Sequence, residues 1–186
     1  MPNWCENETA VTGPTEDITR FLTALRANPV DDVSLRAEPS VSLLATFVPR
    51  PAEVEADGTW YEWSLAHWGT KWTDETRIAE VVDHGNGYSD IVLRGDTAWA
   101  PPIEGWTAVS ALFPTLTFVL TFVEPGMAFG GAAVIADGDA SVSEFGHDEF
   151  PEPPDDWDDE REVVAYTEAL EARVEQALAD AQGIPI

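Results

Sequence analysis

"TLTFVLTFVEPGMAFGGAAVIADGD", residues 115–139, holds the densest β-forming run in the chain. Threonine, phenylalanine, valine and leucine follow one another from Thr117 to Val123, and Pro125-Gly126 stops them, the texture of a strand that ends in a turn. Beyond Met127 the sequence reads as two further strands joined across Asp137-Gly138. The Gly130-Gly131 pair within the first of them suggests a bulge. Immediately upstream, "APPIEGWTAVSALFP" (100–114) reads as a helix started near Pro101-Pro102 and stopped at Pro114.

Working back toward the N-terminus, "TRIAEVVDHG" around 76–83 and "YSDIVLRG" (88–95) are strand candidates, with a short "TAW" extension to Trp99. The "HGNGY" between them supplies the Gly and Asn of a hairpin turn. "RPAEVEADGTWYEWSLAHWG" (50–69) reads as a turn or short helix leading into a second helical piece closed by Gly69, and "SVSLLATFVP" (40–49) as a strand ended by Pro49. Residues 13–29 place Ile18, Phe21, Leu22 and Leu25 at i, i+3, i+4 and i+7, with Glu16 and Asp17 in the first turn and Asn28-Pro29 as a stop. That spacing predicts an amphipathic helix. The opening "NWCENETAVTG" alternates like a strand, although its apolar side is not clean.

The element order is therefore strand, helix, strand, a Trp-rich insertion, strands, helix, strands. It predicts an α+β fold: a ferredoxin-like antiparallel sheet with both helices on one face. From His147 the composition changes. Nine carboxylates and three prolines fall within residues 148–162, and Val163, Thr167, Leu170, Val174, Leu178 and Ala181 then recur at helical spacing. The expected division is a ferredoxin-like domain over 1–147 and, over 148–186, an acidic linker with a C-terminal amphipathic helix. That helix either folds back on the sheet or docks on a second copy, so monomer and dimer both stay open. The short linker favours folding back.

Charge restricts the partners. Nine basic against thirty-five acidic residues give a formal charge of −26. Residues 147–186 hold thirteen of the acids and two of the bases, so the remainder still carries 22 acids against 7 bases, a net of −15. A field of that sign repels phosphates, which argues against direct nucleic-acid binding and for basic proteins or cations as partners. The single cysteine, Cys5, cannot form an intramolecular disulfide, and a reducing cytoplasm is the expected setting. The opening residues have neither the basic nor the apolar region of a secretory leader, and no segment reads as a membrane span.

Four segments together, "MPNWCEN" at the start, "WGTKW" at 68–72, "TAWAPP" at 97–102 and "FVEPGMAFGG" at 122–131, resemble the YubB-type ferredoxin-like family of phage- and plasmid-borne proteins, whose role is unassigned. The resemblance covers roughly residues 1–135. It implies a ferredoxin-like domain in a mobile-element protein and brings no catalytic residues with it.

Two clusters are candidate sites. Trp63, Trp68 and Trp72 surround Lys71, the only lysine in the chain. They read either as an aromatic recess with a cationic head for a base or sugar, or as a plug at one end of the sheet, with the ammonium paired to a nearby acid. The second cluster, Asp155, Asp156, Asp158, Asp159, Glu160 and Glu162, would be about as dense in negative charge as duplex DNA if it were helical, at about 2 Å per carboxylate. A nucleic-acid mimic that occupies a basic groove could be built that way. The plainer reading is that these acids complement the dipole of the following helix. No EF-hand loop, zinc spacing, P-loop or nucleophile elbow occurs, so neither metal nor cofactor is expected. Cys5 could form a dyad with a distant histidine, but its place in a strand beside Trp4 fits a small buried residue better.

These readings predict a non-enzymatic phage or mobile-element accessory protein that binds a basic host protein through its acidic surface, with nucleic-acid mimicry or inhibition of a host factor as ways of acting. Two alternatives stay open at this point: acidity as an adaptation to a salty cytoplasm, and a small-molecule binder or enzyme built on the tryptophan recess.

Overall fold

In the computed structural model, residues 3–27 and 40–183 are described. The chain runs β1 (Trp4–Pro14), α1 (Thr15–Arg26), α2 (Leu43–Phe47), α3 (Ala52–Asp57), α4 (Trp60–Trp68), β2 (Glu75–Asp83), β3 (Tyr88–Ala98), α5 (Ile103–Leu112), β4 (Thr117–Glu124), β5 (Phe129–Ala136), β6 (Asp139–Phe145) and α6 (Glu160–Gln182). One six-stranded sheet orders them β2-β3-β1-β4-β5-β6, with every neighbouring pair antiparallel. The third strand lies between the first two and the fourth flanks β1. This is the split β-α-β arrangement of ferredoxin-like folds, extended at one edge by the β5–β6 hairpin.

Alternation explains which face is buried. Along β1, Cys5, Thr9 and Val11 point into the core, while Glu6, Glu8 and Thr12 point to the other face. The core side gathers Ile91, Leu93, Phe118 and Leu120 from the sheet with Ile18, Phe21, Leu22 and Leu25 of α1 and Trp106 and Val109 of α5. Phe21 stands at its centre, stacked on Phe47 at 5.3 Å and edge-on to Phe113 at 5.3 Å. The expected placement of α1 and α5 on one face therefore holds. The Asn28-Pro29 stop falls outside the described residues.

Both hairpins form where the sequence places them. Gly85 and Gly87 have φ of 69° and 87°, and Asp137-Gly138 has φ of 49° and 80°, the left-handed pair that a tight two-residue turn requires.

Helix α6 lies on the opposite face, over β4–β6; Ala177 joins a small buried cluster with Ala132 and Phe145, and Ala181 is buried one turn on. Leu170, Val174 and Leu178 flank this contact, as the apolar stripe predicts, whereas Thr167 is exposed and bonds back to the Val163 carbonyl at 2.8 Å.

Two local expectations need correction. Residues 40–49 are not a strand: only Val41 bridges Thr76, and 43–47 form α2. The deciding group is Asp74, whose carboxylate accepts from the Leu43 and Leu44 amides at 3.1 and 2.9 Å and so turns the chain into a helix start. Gly130-Gly131 is no bulge, since β5 keeps unbroken register with both neighbours. The glycines are needed because a Cβ at Gly131 would stand 2.7 Å from the Phe122 ring and 2.4 Å from the Ser143 carbonyl, and one at Gly130 would stand 2.6 Å from the Phe145 ring. The register shift lies in β2, between Ile78 and Glu80. The short "TAW" extension forms as expected as far as Ala98, the last residue of β3.

Candidate functional site

The tryptophan cluster divides into two pairs. Trp68 is 3% exposed, donates its Nε1–H to the Val48 carbonyl at 2.8 Å and meets Trp63 edge-on at 5.3 Å. Trp63 in turn stacks on His67 at 4.3 Å. Lys71 and Trp72 lie on a separate exposed pair of rings: the ammonium sits 4.6 Å from the centre of Trp72 and 6.0 Å from that of Tyr61, and Trp72 approaches Trp4 at 6.3 Å. Among the described residues no carboxylate pairs with Lys71; its contacts are π faces, whose negative quadrupole attracts the cation. The cation that clasps Trp68 is instead Arg50, 4.7 Å from the Trp68 ring and 5.5 Å from that of Trp60, bonded to Ser64 Oγ at 2.9 Å and paired with Glu55. Nothing in "VPRPAE" marks Arg50 as the partner of an indole eighteen positions on.

The acidic segment is not the continuous helix that a dense charge ladder requires. Residues 155–159 turn, and α6 begins only at Glu160. Asp159 is the N-cap: it accepts from the Arg161 amide at 3.0 Å and holds the Arg161 guanidinium at 2.9 Å. Glu162 reaches back to the Asp156 amide at 3.2 Å, and Asp156 accepts from the Asp158 amide at 2.9 Å. Asp156, Asp159 and Glu162 thus satisfy amides at a helix start, leaving Asp155, Asp158 and Glu160 directed to solvent. The Arg161 contact, followed by the amide bond, holds the Asp159 carboxyl below its ordinary pKa. Its charge should therefore persist below the ordinary carboxylate range, and Arg161→Ala is expected to move its titration upward in a carboxyl-carbon NMR series.

A third feature joins residues far apart in sequence. Because α6 covers only β4–β6, no other described element lies over the outer face of β1, β3 and β2, and a cleft of about 680 Å³ runs between that face and the helix. Glu6, Glu8 and Asp96 lie on its floor with Arg77 and Arg94, which face each other across β2 and β3. Its helical wall carries Glu171 and Glu175 beside Leu170, Val174 and Leu178. Arg94 pairs with Glu8 at 2.5 Å, whereas Arg77 makes no ion pair among the described residues. Sequence reasoning missed this site. Its one local trace is the pair of arginines on the outer side of two strands that also carry Glu75, Glu80, Asp90 and Asp96 there.

Cys5 is fully buried, and its thiol is pushed up to about 12 by burial first and then by Glu124, Asp96 and Glu6. Such a group is a thiol at every physiological pH, not a nucleophile. The folded protein is expected to leave Cys5 unalkylated by iodoacetamide at pH 8, while urea-unfolded chain reacts fully, as read by intact mass.

Two further facts bound the chemistry. Among the described residues no group of three or more His, Cys, Asp or Glu side chains is placed to hold a metal ion. No helix there is long and apolar enough to cross a membrane.

Comparison with known proteins agrees with the topology. The family model described as the ferredoxin-like domain in Api92-like protein matches residues 67–167, more than half of the chain. Among solved structures, the crystal structure of protein api92 from Yersinia pseudotuberculosis superimposes with a TM-score of 0.52 at 11% identity, over 79% of this chain and 99% of that one. At that identity the likeness is one of fold. No curated protein matches the chain.

Proposed function

The chain belongs to the family of ferredoxin-like domains in Api92-like proteins, and on that footing we propose that it is a non-enzymatic accessory protein of a phage or plasmid. It acts in the host cytoplasm by binding a basic host protein through its acidic surface. The observation that carries this reading is what the fold does with its few cations. Arg20, Arg50, Arg94, Arg161 and Arg173 are paired with Asp17, Glu55, Glu8, Asp159 and Glu149, and Lys71 rests on aromatic rings. Nine basic residues cannot neutralise thirty-five carboxylates, and the field at the surface is negative over long distances. The mobile-element setting follows from the resemblance of "WGTKW", "TAWAPP" and "FVEPGMAFGG" to the YubB-type proteins.

The preferred partner is a protein that itself binds nucleic acid, because such proteins carry the matching basic surface. Mimicry then comes from the whole acidic surface and not from a ladder at 155–162, since half of those six carboxylates cap amides. The test is capture from host lysate at 50 mM and 500 mM salt, with DNA as competitor. Basic proteins that bind at low salt and are displaced by DNA are the expected result. No retained protein at either salt would overturn the reading, and so would a chain that unfolds in dilute buffer, the behaviour of a salt-adapted protein.

A further inference from the structure

We propose that the cleft between α6 and the uncovered half of the sheet is the docking groove, and that its occupant is one basic amphipathic helix of the partner protein. The inference deepens the reading of a basic partner by giving that partner a place and a shape.

Dimensions come first. Three strands, β1, β3 and β2, are uncovered beside α6, a width of about 14 Å at roughly 4.8 Å per strand. A helix with its side chains is about 10–12 Å across and packs at about 8–10 Å from a neighbour. One helix therefore fits beside α6 and completes the layer, and a second does not. The cleft follows α6 from Leu170 to Leu178, about two turns at 1.5 Å per residue. Leu170, Val174 and Leu178 are only partly buried by the sheet, so their outer sides form one apolar edge, and Val123, opposite Glu6 in the sheet, adds an apolar side chain to the floor.

Charge selects the sign of the occupant. Five carboxylates and two arginines line the cleft, a net of −3. Glu171 and Glu175 stand one turn apart along the rim, the spacing at which a facing helix presents Lys or Arg at i and i+4. Arg94 is already engaged by Glu8. Arg77 is open to a single acidic residue of the partner and would fix its orientation. A second copy of this chain is opposed by its own −26 charge, and nucleic acid by the same repulsion.

The probe is a fluorescein-labelled 14-residue peptide of leucine and lysine in helical amphipathic order, compared with a scrambled peptide of identical composition. Binding is read by anisotropy in dilute buffer and mapped by amide NMR shifts. The patterned peptide is expected to bind at least tenfold more tightly than the scrambled one and to shift Glu6–Glu8, Arg94 and Leu170–Leu178. Glu171→Lys with Glu175→Lys should weaken it at least tenfold, while the remote pair Glu53→Lys and Glu62→Lys should change it less than threefold. Equal binding of both peptides, equal loss with both charge reversals, or a dimer in light scattering that protects the cleft amides would each overturn the groove. Capture of basic proteins from lysate by the Glu171→Lys/Glu175→Lys protein at wild-type level would overturn it too, while leaving the proposed function standing. Loss of lysate capture by the wild-type chain removes the function itself.

Discussion

Asp74→Ala is expected to destabilise the fold by about 3–4 kcal/mol, at roughly 1–3 kcal/mol for each buried polar group left without a partner. Asp74 is 4% exposed and accepts four hydrogen bonds: from the amides of Leu43 (3.1 Å) and Leu44 (2.9 Å), Ser42 Oγ (2.9 Å) and Thr76 Oγ1 (2.5 Å). The hydroxyls can turn elsewhere, since Ser42 also meets Thr73, but the two amides cannot. The loss is a large share of a typical 5–15 kcal/mol stability and should lower the melting temperature by about 10 °C in a chain of this size. Asp74→Asn should fall between the two, because its amide keeps one acceptor and turns one donor toward donors. Amide exchange at Leu43, Leu44 and the start of β2 should rise first. An Asp74→Ala protein within 1 kcal/mol of wild type in urea unfolding would show that the latch does not hold the Trp-rich insertion to the sheet.

The same carboxylate shows where sequence reading stops. Strands β1, β3 and β4 are legible because their alternation is imposed by one buried face, and both hairpins because only Gly, Asn and Asp suit the left-handed positions their turns require. Residues 40–49 are not legible in this way. Val41, Leu43, Leu44 and Phe47 fit a short apolar run of either kind, and the choice is made by a residue thirty positions away. Gly130-Gly131 is a similar case: a glycine pair suggests a backbone irregularity, but the requirement comes from rings at Phe122 and Phe145 that no local window connects to it. The acidic clusters were visible as composition. That half of the 155–162 carboxylates would be occupied at a helix start depends on where α6 begins, which composition does not fix.

The cleft was hidden for a geometric reason. Its floor comes from β1, β2 and β3 and its wall from α6, so Glu6, Arg77, Arg94 and Glu171 converge only once the strand order is known. An acidic surface acquires specificity when some of it is concave and edged by apolar side chains, because diffuse charge accelerates encounter more than it selects a partner. Among the described residues only the α6 side of the sheet combines these features with uncovered strands, which is why the partner helix is placed there and not on the exposed Asp155–Asp158 turn.

Trp68→Ala and Lys71→Ala should separate the two roles that the sequence merges in "WGTKW". Trp68 is buried, bonded to Val48 and covered by Arg50. Its truncation leaves a cavity, a Val48 carbonyl without its indole donor and a guanidinium with only the Trp60 ring, with an expected cost of about 3–5 kcal/mol. Lys71 holds a partly exposed cation over Trp72 and Tyr61. Its truncation should cost about 0.5–1 kcal/mol, the range for solvent-accessible cation–π contacts, and should leave peptide binding in the cleft unchanged. Urea unfolding of the two variants measures the difference directly. If Lys71→Ala costs as much as Trp68→Ala, the ammonium is part of the core packing after all. If Trp68→Ala costs less than 1 kcal/mol, the indole is not packed as described, and a recess open to a flat ligand becomes the better account of the cluster.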